Sequence, residues 1–408
     1  MTTKEIEIDK AFVAAADTVL SGLTKGKLTS MVDLLELVRD SSGLRDETDR
    51  LKGELANANA RVAALAERAA TTATPIVFEV PTKGGAIGYK TTTRNVADLF
   101  TIKGKPIPGL NFEMTLPEWD APNPLVPKID EHYKFDTVKL VKALTALRFG
   151  ERVIGTGDTG TGKTEFMAQI AARLGLEFHR VNLDGQTSRV ELVGKDSLVY
   201  EDGKQVTKFV EGTIPAAIQR PAILCLDEAD RTDPMLSGVL FRVTEGAGFL
   251  LSEDGNRFIP QNPLARIVAT ANTSLSGDES GVYQGTRAQP IALKDRFSCW
   301  IKFDYMAEGA EAAVIRAKVP GTDENFSLLI TKIANAIRQS FRKNTILDLV
   351  SLRGLTAAAK YRASFIAAGG DPVQAARTAL EMTVIDRMSG SDAQQVREIV
   401  DRFVKEMK

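Results

Sequence analysis

The sequence contains few of the residues that build metal and redox sites. Among 408 residues there are two cysteines and two histidines. Cys225 and Cys299 form no CxxC pair, so we expect no zinc site and a reducing, cytoplasmic environment. His132 and His179 lie far apart along the chain, which argues against a metal or acid–base role for either. Cys225 sits in an apolar run and is predicted to be a small core residue.

A long apolar run and an excess of basic charge are also missing. Without a stretch of about 18 apolar residues, no membrane-spanning helix is expected. The charged start MTTKEIEIDK lacks the apolar segment of a secretory signal. The net charge is −1 and the sequence pI is about 6.3. Because proteins that bind nucleic acid usually carry basic charge, nucleic-acid binding is not expected, although a local basic surface stays open.

The first 130 residues are predicted to lie outside the main domain. Residues 1–75 are predicted to be helical, with a coiled-coil stretch; a single amphipathic helix is the alternative. That stretch shows alternating spacings of four and three, the period of a coiled coil, at Leu51, Leu55, Ala58, Val62, Leu65 and Ala69. Residues 76–130 are rich in glycine and proline, which predicts a linker or a small β module.

The rest of the chain shows two different patterns. Strands alternate with helices over residues 131–304, which predicts an α/β domain with a parallel sheet between helices. Residues 305–408 read as helical throughout. We therefore expect an α/β nucleotide-binding domain followed by a helical domain.

The segment GTGDTGTGKTEF, at residues 155–166, matches the phosphate-binding pattern G-x-x-x-x-G-K-[ST]. Glycines let backbone N–H groups approach a phosphate, and the following helix points its positive end at the same place. Lys163 should reach the β- and γ-phosphates, and the hydroxyl of Thr164 should bind Mg²⁺. The sequence thus predicts ATP and Mg²⁺ as ligands, with the loop formed by Gly157, Asp158, Thr159, Gly160, Thr161, Gly162, Lys163 and Thr164.

Polar residues follow two further predicted strands. AILCLDEAD ends in carboxylates at the strand end that faces the phosphates. There Asp227 is predicted to hold Mg²⁺ through water and Glu228 to polarise the attacking water; acidic residues also end strands without any catalytic meaning. Asn272, after the strand in RIVATANT, is expected to contact the γ-phosphate or the water, or else to be a turn residue.

Two arginines complete the candidate site. Arg296, in LKDRFSCW, lies beyond the last of these strands and could reach the γ-phosphate of a neighbouring subunit; a surface ion pair is the alternative. Arg353, in LVSLRGL, begins a helix of the C-terminal region and could fold back onto the phosphates.

With these parts in this order, the chain resembles AAA+ ATPases of the MoxR type, most closely the cobaltochelatase ATPase subunit type. The likeness spans about residues 125–320. The segments that carry it are YKFD, GDTGTGKTEFMAQIAARL, RVNLDGQTSRVELVGKDSLVYEDGKQVTKFVEGTIPAAIQRP, LDEAD, ATANTSLSGDESGVYQGT and DRFS. The resemblance implies an AAA+ P-loop core with a helical lid, with Lys163 and Thr164 in Walker A and Asp227 and Glu228 in Walker B. It further implies Asn272 as sensor 1, Arg296 as the trans arginine finger, Arg353 as sensor 2, and Tyr133 near the adenine.

Two segments look like the insert hairpins of this family. ELVGKDSLVYEDGKQVTKFVEG is predicted to turn at Asp202–Gly203, and GFLLSEDGNRFIPQNP at Asp254–Gly255. In the family such hairpins line the pore or contact the substrate; surface hairpins without a role are the alternative.

The resemblance implies a ring, expected to have six subunits, that hydrolyses ATP with Mg²⁺. The favoured function is remodelling of a protein or metallo-enzyme client through a von Willebrand A domain partner. One alternative is insertion of cobalt or magnesium into a tetrapyrrole by a chelatase, and another is a nucleic-acid motor. The first 120 residues have no counterpart in the family, and the chain carries no metal-insertion module. The resemblance of the ATPase domain therefore does not identify the client.

Overall fold

The computed structural model describes residues 87–405, apart from positions 103, 202–203, 247, 278–282 and 284. The predicted N-terminal helical region and its coiled-coil stretch lie outside the described residues. Residues Glu79–Lys408 form one compact unit, to which every described residue belongs. The boundaries placed at 75/76, 130/131 and 304/305 stay predictions.

A five-stranded parallel sheet forms the centre of this unit. Its strands are β5 (Val153–Thr156), β6 (Glu177–Asn182), β9 (Ala222–Asp227), β12 (Arg266–Ala271) and β13 (Cys299–Lys302). They lie in the order β13-β5-β12-β9-β6, and all four neighbouring pairs are parallel. The parallel sheet predicted from alternating strands and helices is confirmed. Because the strands are parallel, the loops after β5, β9 and β12 meet at one edge.

Each face of the sheet carries its own apolar core. Successive side chains of a strand point to opposite faces, and in β9 Ile223 and Cys225 pack on one side while Leu224 and Leu226 pack on the other. The first core is completed by α2 (Thr137–Arg148) and α3 (Lys163–Leu174). The second is completed by four helices: α4 (Arg189–Val193), α5 (Thr213–Ile218), α6 (Ser237–Glu245) and α7 (Ile291–Asp295). Cys225 is fully buried, as the sequence predicts.

Residues 89–119 add a small layer to the first core. Strand β1 (Tyr89–Asn95) pairs antiparallel with β4 (Glu113–Trp119). Between them lie the short helix α1 (Val96–Leu99) and the two-residue strands β2 (Thr101–Ile102) and β3 (Lys105–Pro106). Phe100, Leu110 and Leu116 belong to the same apolar cluster as α2 and α3. This stretch therefore packs against the nucleotide-binding fold.

Two hairpins leave the sheet domain where the inserts are predicted. Strands β7 (Gly194–Glu201) and β8 (Lys204–Glu211) pair antiparallel over their full length. The predicted turn residues between them, Asp202 and Gly203, lie outside the described residues. Strands β10 (Phe249–Leu251) and β11 (Arg257–Ile259) also pair antiparallel, and the chain turns between them through Asp254 and Gly255.

The C-terminal part is helical, as predicted. It contains α8 (Glu308–Lys318), α9 (Glu324–Arg342), α10 (Leu352–Ala367), α11 (Pro372–Leu380), a short π-helix (Glu381–Ile385) and α12 (Gly390–Val404), which share a third apolar core. Inside it, Arg338 forms two hydrogen bonds with Glu311, at 2.7 and 2.8 Å, and both side chains are buried. In the part of the chain that the structure describes, no helix is long and apolar enough to cross a membrane.

Candidate nucleotide-binding site

The predicted phosphate loop joins the end of β5 to the start of α3. Gly157 and Gly160 both have a positive φ, at 141° and 79°, a region that favours glycine. A Cβ at Gly157 would lie 2.0 Å from the carbonyl oxygen of Phe303, and one at Gly160 would lie 2.4 Å from Cβ of Ser351. A side chain at either position would clash with Phe303 or Ser351, so this close packing requires glycine. The N-terminal amides of α3 point at the same loop, an arrangement that suits a bound phosphate.

Lys163 brings the loop and the strand β12 together. Its Nζ donates to the carbonyl oxygens of Gly157 (2.6 Å) and Asp158 (3.0 Å) and to Oδ1 of Asn272 (3.0 Å). Burial lowers the pKa of the Lys163 ammonium, while the nearby carboxylates, Asp230 foremost, oppose this shift. Two predicted site residues, Lys163 and Asn272, are therefore in direct contact.

Thr164 and Asp227 are also in contact, as a shared Mg²⁺ site requires. The Thr164 hydroxyl donates to Oδ1 of Asp227 at 2.8 Å. The Thr270 hydroxyl bonds the same oxygen, and Arg180 pairs with Oδ2. Asp227 is buried, so these partners fix its carboxylate. Among the described residues no group of three or more His, Cys, Asp or Glu could hold a metal ion. The pair nevertheless fits Mg²⁺, which typically takes one or two protein ligands with phosphates and water.

Glu228 lies directly after β9 in a strained conformation. Its φ is 58° and ψ 43°, the left-handed region, which costs a non-glycine residue about 1–2 kcal/mol. The backbone N–H donates to the Thr270 hydroxyl at 3.2 Å, and the half-exposed carboxylate pairs with Arg231 at 2.9 Å. Such strain is often found at functional sites. The structure thus places Glu228 beside Asp227 with its carboxylate engaged by Arg231.

Asn272 is held from two sides. Its Oδ1 accepts from Lys163 and, at 3.4 Å, from the hydroxyl of Thr159. Its backbone N–H donates to Oδ2 of Asp230 at 2.9 Å. Asp230 belongs to the quoted LDEAD segment, yet it has no predicted role.

Arg296 lies away from this cluster. Its guanidinium pairs with Glu245 at 2.7 Å, and its Cζ lies 4.9 Å from the ring centroid of Phe241. The side chain also donates to the carbonyl oxygen of Ala292. Glu245 and Phe241 belong to α6 and Ala292 to α7, so none of these contacts is with the phosphate loop.

The helical domain touches the phosphate loop at several points. Ser351, which precedes α10, is the residue that lies against Gly160. Arg353 is exposed in the first turn of α10. The Tyr305 hydroxyl donates to the carbonyl oxygen of Thr159 at 2.6 Å, and burial raises the Tyr305 pKa to about 12. The predicted sensor 2 arginine therefore stands on a helix that begins at the loop.

The side chain of Asp158 joins the loop to two further segments. Its Oδ1 accepts from the Tyr283 hydroxyl at 2.8 Å, and its Oδ2 lies 3.7 Å from Arg342 of α9. A separate internal bond shapes the loop: the Thr161 hydroxyl donates to the Asp158 carbonyl at 2.8 Å. Asp158 is thus a point where the loop, the segment after β12 and the helical domain meet.

Tyr133 belongs to a row of aromatic rings beside α3. Its ring centroid is 4.8 Å from that of Phe135, which is 5.6 Å from Phe166. Burial, reinforced by the charge of Glu165, raises the pKa of the Tyr133 phenol. Tyr133 is therefore close to the first turn of α3, while none of its described contacts is with Lys163 or Asn272.

Several residues that shape the site are not found by reasoning from motifs. Arg180 and Thr270 hold the Asp227 carboxylate, and Tyr305 and Arg342 come from segments with no predicted role. Arg180 and Thr270 lie on β6 and β12 and appear in the sequence as ordinary strand residues. Only the strand order, which brings β9 between β6 and β12, shows that both face Asp227.

Comparison with known proteins identifies the family of the chain. Residues 152–297 match the family model described as an AAA domain of the dynein-related subfamily. The aerobic cobaltochelatase subunit CobS of Sinorhizobium sp is 35% identical over 258 residues, which cover 62% of this chain and 77% of CobS. The denitrification regulatory protein NirQ of Pseudomonas aeruginosa is 26% identical over 59% of this chain and 86% of NirQ. Protein NorQ of Paracoccus denitrificans is 27% identical over 46% of this chain and 64% of NorQ. The chain belongs to the MoxR-type AAA+ ATPases, close to CobS, and is an ATP hydrolase.

Proposed function

We propose that the protein is a ring-forming, Mg²⁺-dependent AAA+ motor that remodels a protein or metallo-enzyme client in the cytoplasm. The proposal includes a partner with a von Willebrand A domain. The main observation in support of this proposal is that Lys163 is hydrogen-bonded to Asn272, and Thr164 to Asp227, at one edge of the sheet. This is where a nucleotide binds in an open parallel sheet.

The contacts support a division of roles at the phosphates. The loop amides and the Lys163 ammonium would bind the β- and γ-phosphates. Thr164 and Asp227 would hold Mg²⁺, which supplies charge neutralisation on the phosphate oxygens when bound. Once the Glu228 carboxylate turns away from Arg231, it would orient the attacking water and act as a general base toward it. Asn272 would fix the position of the γ-phosphate or the water.

Two residues outside the sheet edge would complete nucleotide binding. Arg353 stands in the first turn of a helix whose preceding residue, Ser351, touches Gly160. A movement of this helix toward the loop would bring its guanidinium to the phosphates. Tyr133 lies beside the first turn of α3, which supports a place next to the adenine.

The position of Arg296 supports assembly into a ring. Its partners Glu245 and Phe241 lie on α6 and not at the chain's own phosphate loop. An arginine that serves a phosphate from this position would serve that of a neighbouring subunit. The proposed number of six subunits comes from the family resemblance.

The two hairpins offer a surface for the client. Leu198 and Tyr200 on β7 are 66% and 77% exposed, and they lie on the same face of the strand because they are two residues apart. Ion pairs brace the hairpins: Arg257 joins β11 to Glu211 of β8 at 2.8 Å, and Arg189 pairs with Glu253 at 2.6 Å. An apolar strand face on a braced support could transmit motion from the ATPase core to a bound protein.

A chelatase role is the second candidate, and the 35% identity to a cobaltochelatase subunit favours it. The protein would then drive insertion of cobalt or magnesium into a tetrapyrrole within a larger complex. The third candidate, a nucleic-acid motor, is disfavoured by the net charge of −1.

Capture from the native host tests these candidates. The bait is the Glu228→Gln variant with ATP and Mg²⁺, which should stay in the ATP-bound state, and Lys163→Ala is the matched control. A von Willebrand A protein enriched only by the first bait is the expected result, and a large chelatase subunit beside it would select the second candidate. ATP hydrolysis stimulated by nucleic acid, with no protein enriched, would overturn the proposed function.

A further inference from the structure

The Asp230 side chain is fully buried, and all its described hydrogen bonds go to the segment directly after β12. Its Oδ2 accepts from the backbone N–H groups of Asn272 (2.9 Å) and Thr273 (2.8 Å) and from the Thr273 hydroxyl (3.0 Å). Its Oδ1 is buried and has no hydrogen-bond partner among the described residues. The carboxylate therefore spans from the end of β9 to the first two residues after β12.

Burying a carboxylate in this way is energetically unfavourable if the side chain has no role beyond filling space. A buried carboxylate is unfavourable unless it is hydrogen-bonded, and here one of two oxygens is unsatisfied. What the side chain does achieve is to fix two consecutive backbone amides. The first of these belongs to Asn272, whose Oδ1 contacts the Lys163 ammonium.

We propose that Asp230 is a positioning residue for ATP hydrolysis, which holds the backbone of Asn272 so that its side chain meets the γ-phosphate region. The inference rests on the role proposed above for Asn272. Without the two amide anchors, the short segment after β12 would be free to shift. A misplacement of about 1 Å in a reacting arrangement can reduce a rate on the order of 10²-fold.

A different role for Asp230 would act through charge. Its carboxylate could matter only because a negative charge stands near the Lys163 ammonium. Asp230→Asn separates the two roles, because asparagine keeps one acceptor oxygen for the amides of Asn272 and Thr273 and removes the charge. If positioning is the role, Asp230→Asn should keep kcat within about threefold of the wild-type value.

The test is a double-mutant cycle between Asp230→Ala and Asn272→Ala, read as kcat and KM for ATP. We expect Asp230→Ala to lower kcat about tenfold or more, with KM changed less than about threefold. In the Asn272→Ala background, Asp230→Ala should have almost no further effect on kcat. Asp392→Ala is the matched control: it also removes a buried aspartate that accepts a backbone N–H, that of Leu347 at 2.7 Å, but in the helical domain. It should lower the melting temperature while kcat stays unchanged.

Three results would overturn the proposal: fold-losses in kcat that multiply in the double variant, an Asp230→Asn variant as slow as Asp230→Ala, or a wild-type kcat for Asp230→Ala. If Asp230→Ala does not fold, Thr273→Val takes its place, since it removes one of the three hydrogen bonds without changing side-chain shape. Its smaller loss of kcat should likewise vanish in the Asn272→Ala background, and a multiplied loss would overturn the proposal. A wild-type kcat for Asn272→Ala alone would instead refute the proposed role of Asn272.

Discussion

Replacing Arg296 with alanine should separate stability from activity. The structure gives Arg296 one ion pair with the half-exposed Glu245, one contact over the ring of Phe241 and one hydrogen bond to the carbonyl oxygen of Ala292. An exposed ion pair contributes about 0–1 kcal/mol, a cation–π contact roughly 0.5–1 kcal/mol, and a hydrogen bond about 0.5–1.5 kcal/mol. We therefore expect Arg296→Ala to lower the free energy of unfolding by at most about 3.5 kcal/mol and to leave ATP binding intact.

The effect on hydrolysis should be far larger. An arginine supplied by a neighbouring subunit is worth on the order of 10³–10⁵ in rate, which corresponds to roughly 4–7 kcal/mol of transition-state stabilisation. Glu245→Ala is the matched control, because it breaks the same ion pair and leaves the guanidinium in place. It should lose only the contribution of the ion pair, at most about 1 kcal/mol, and should match the wild type in ATPase rate.

The assay is the ATPase rate at saturating ATP and at several protein concentrations, with the two variants side by side. Arg296→Ala mixed with Lys163→Ala should recover part of the activity, because one subunit supplies the arginine and its neighbour an intact phosphate loop. Equal rates for Arg296→Ala and Glu245→Ala would refute the trans role. So would zero activity at every mixing ratio, provided that subunit exchange is shown independently.

Two further predictions concern stability. Burial alone would raise the pKa of the Glu177 carboxyl, but hydrogen bonds from His179, Arg220 and Asn123 outweigh it and lower the pKa from its ordinary 4.5 to about 2. Because the folded-state pKa is depressed, this stabilisation is present above about pH 4.5 and is lost as the pH falls toward 2; it amounts to about 3 kcal/mol. Chemical denaturation at several pH values should show a Glu177→Gln variant that is less stable near neutral pH and equal to the wild type near pH 2, and a constant difference across this range would contradict the argument. Deletion of residues 1–75 should leave a folded protein that binds nucleotide, because residues Glu79–Lys408 form one compact unit; loss of the cooperative thermal transition would show that the segment belongs to the core.

The elements with strong local signals could be predicted from the sequence. The glycine spacing around Lys163 indicates the phosphate loop, and the apolar run before Asp227 indicates a buried strand. Their meeting with Asn272 follows from parallel strands, whose carboxyl ends share one edge. Both insert hairpins could also be predicted, from the family resemblance together with the Asp–Gly turn residues in each segment.

Contacts that depend on long-range packing could not be predicted. No local pattern shows that Arg180 reaches Asp227, since this depends on β6 lying next to β9 at the sheet edge. Likewise, the bond from Asp230 to the Asn272 amide joins residues 42 apart in sequence. The composition of residues 76–130 allows a small β module, but it does not predict that residues 89–119 pack on α2 and α3, because a proline-rich composition says little about what the apolar side chains between the prolines will cover.

The central claim is that ATP hydrolysis takes place at the edge of the sheet where Asp227 and Glu228 end β9. The most direct measurement compares ATP binding and hydrolysis by Glu228→Gln in the full-length protein with Mg²⁺. We expect a Kd for ATP close to the wild-type value and a hydrolysis rate lower by on the order of 10²–10⁴-fold, because the amide accepts a proton poorly. In Lys163→Ala, by contrast, ATP binding itself should weaken. Hydrolysis by Glu228→Gln at the wild-type rate would contradict the account.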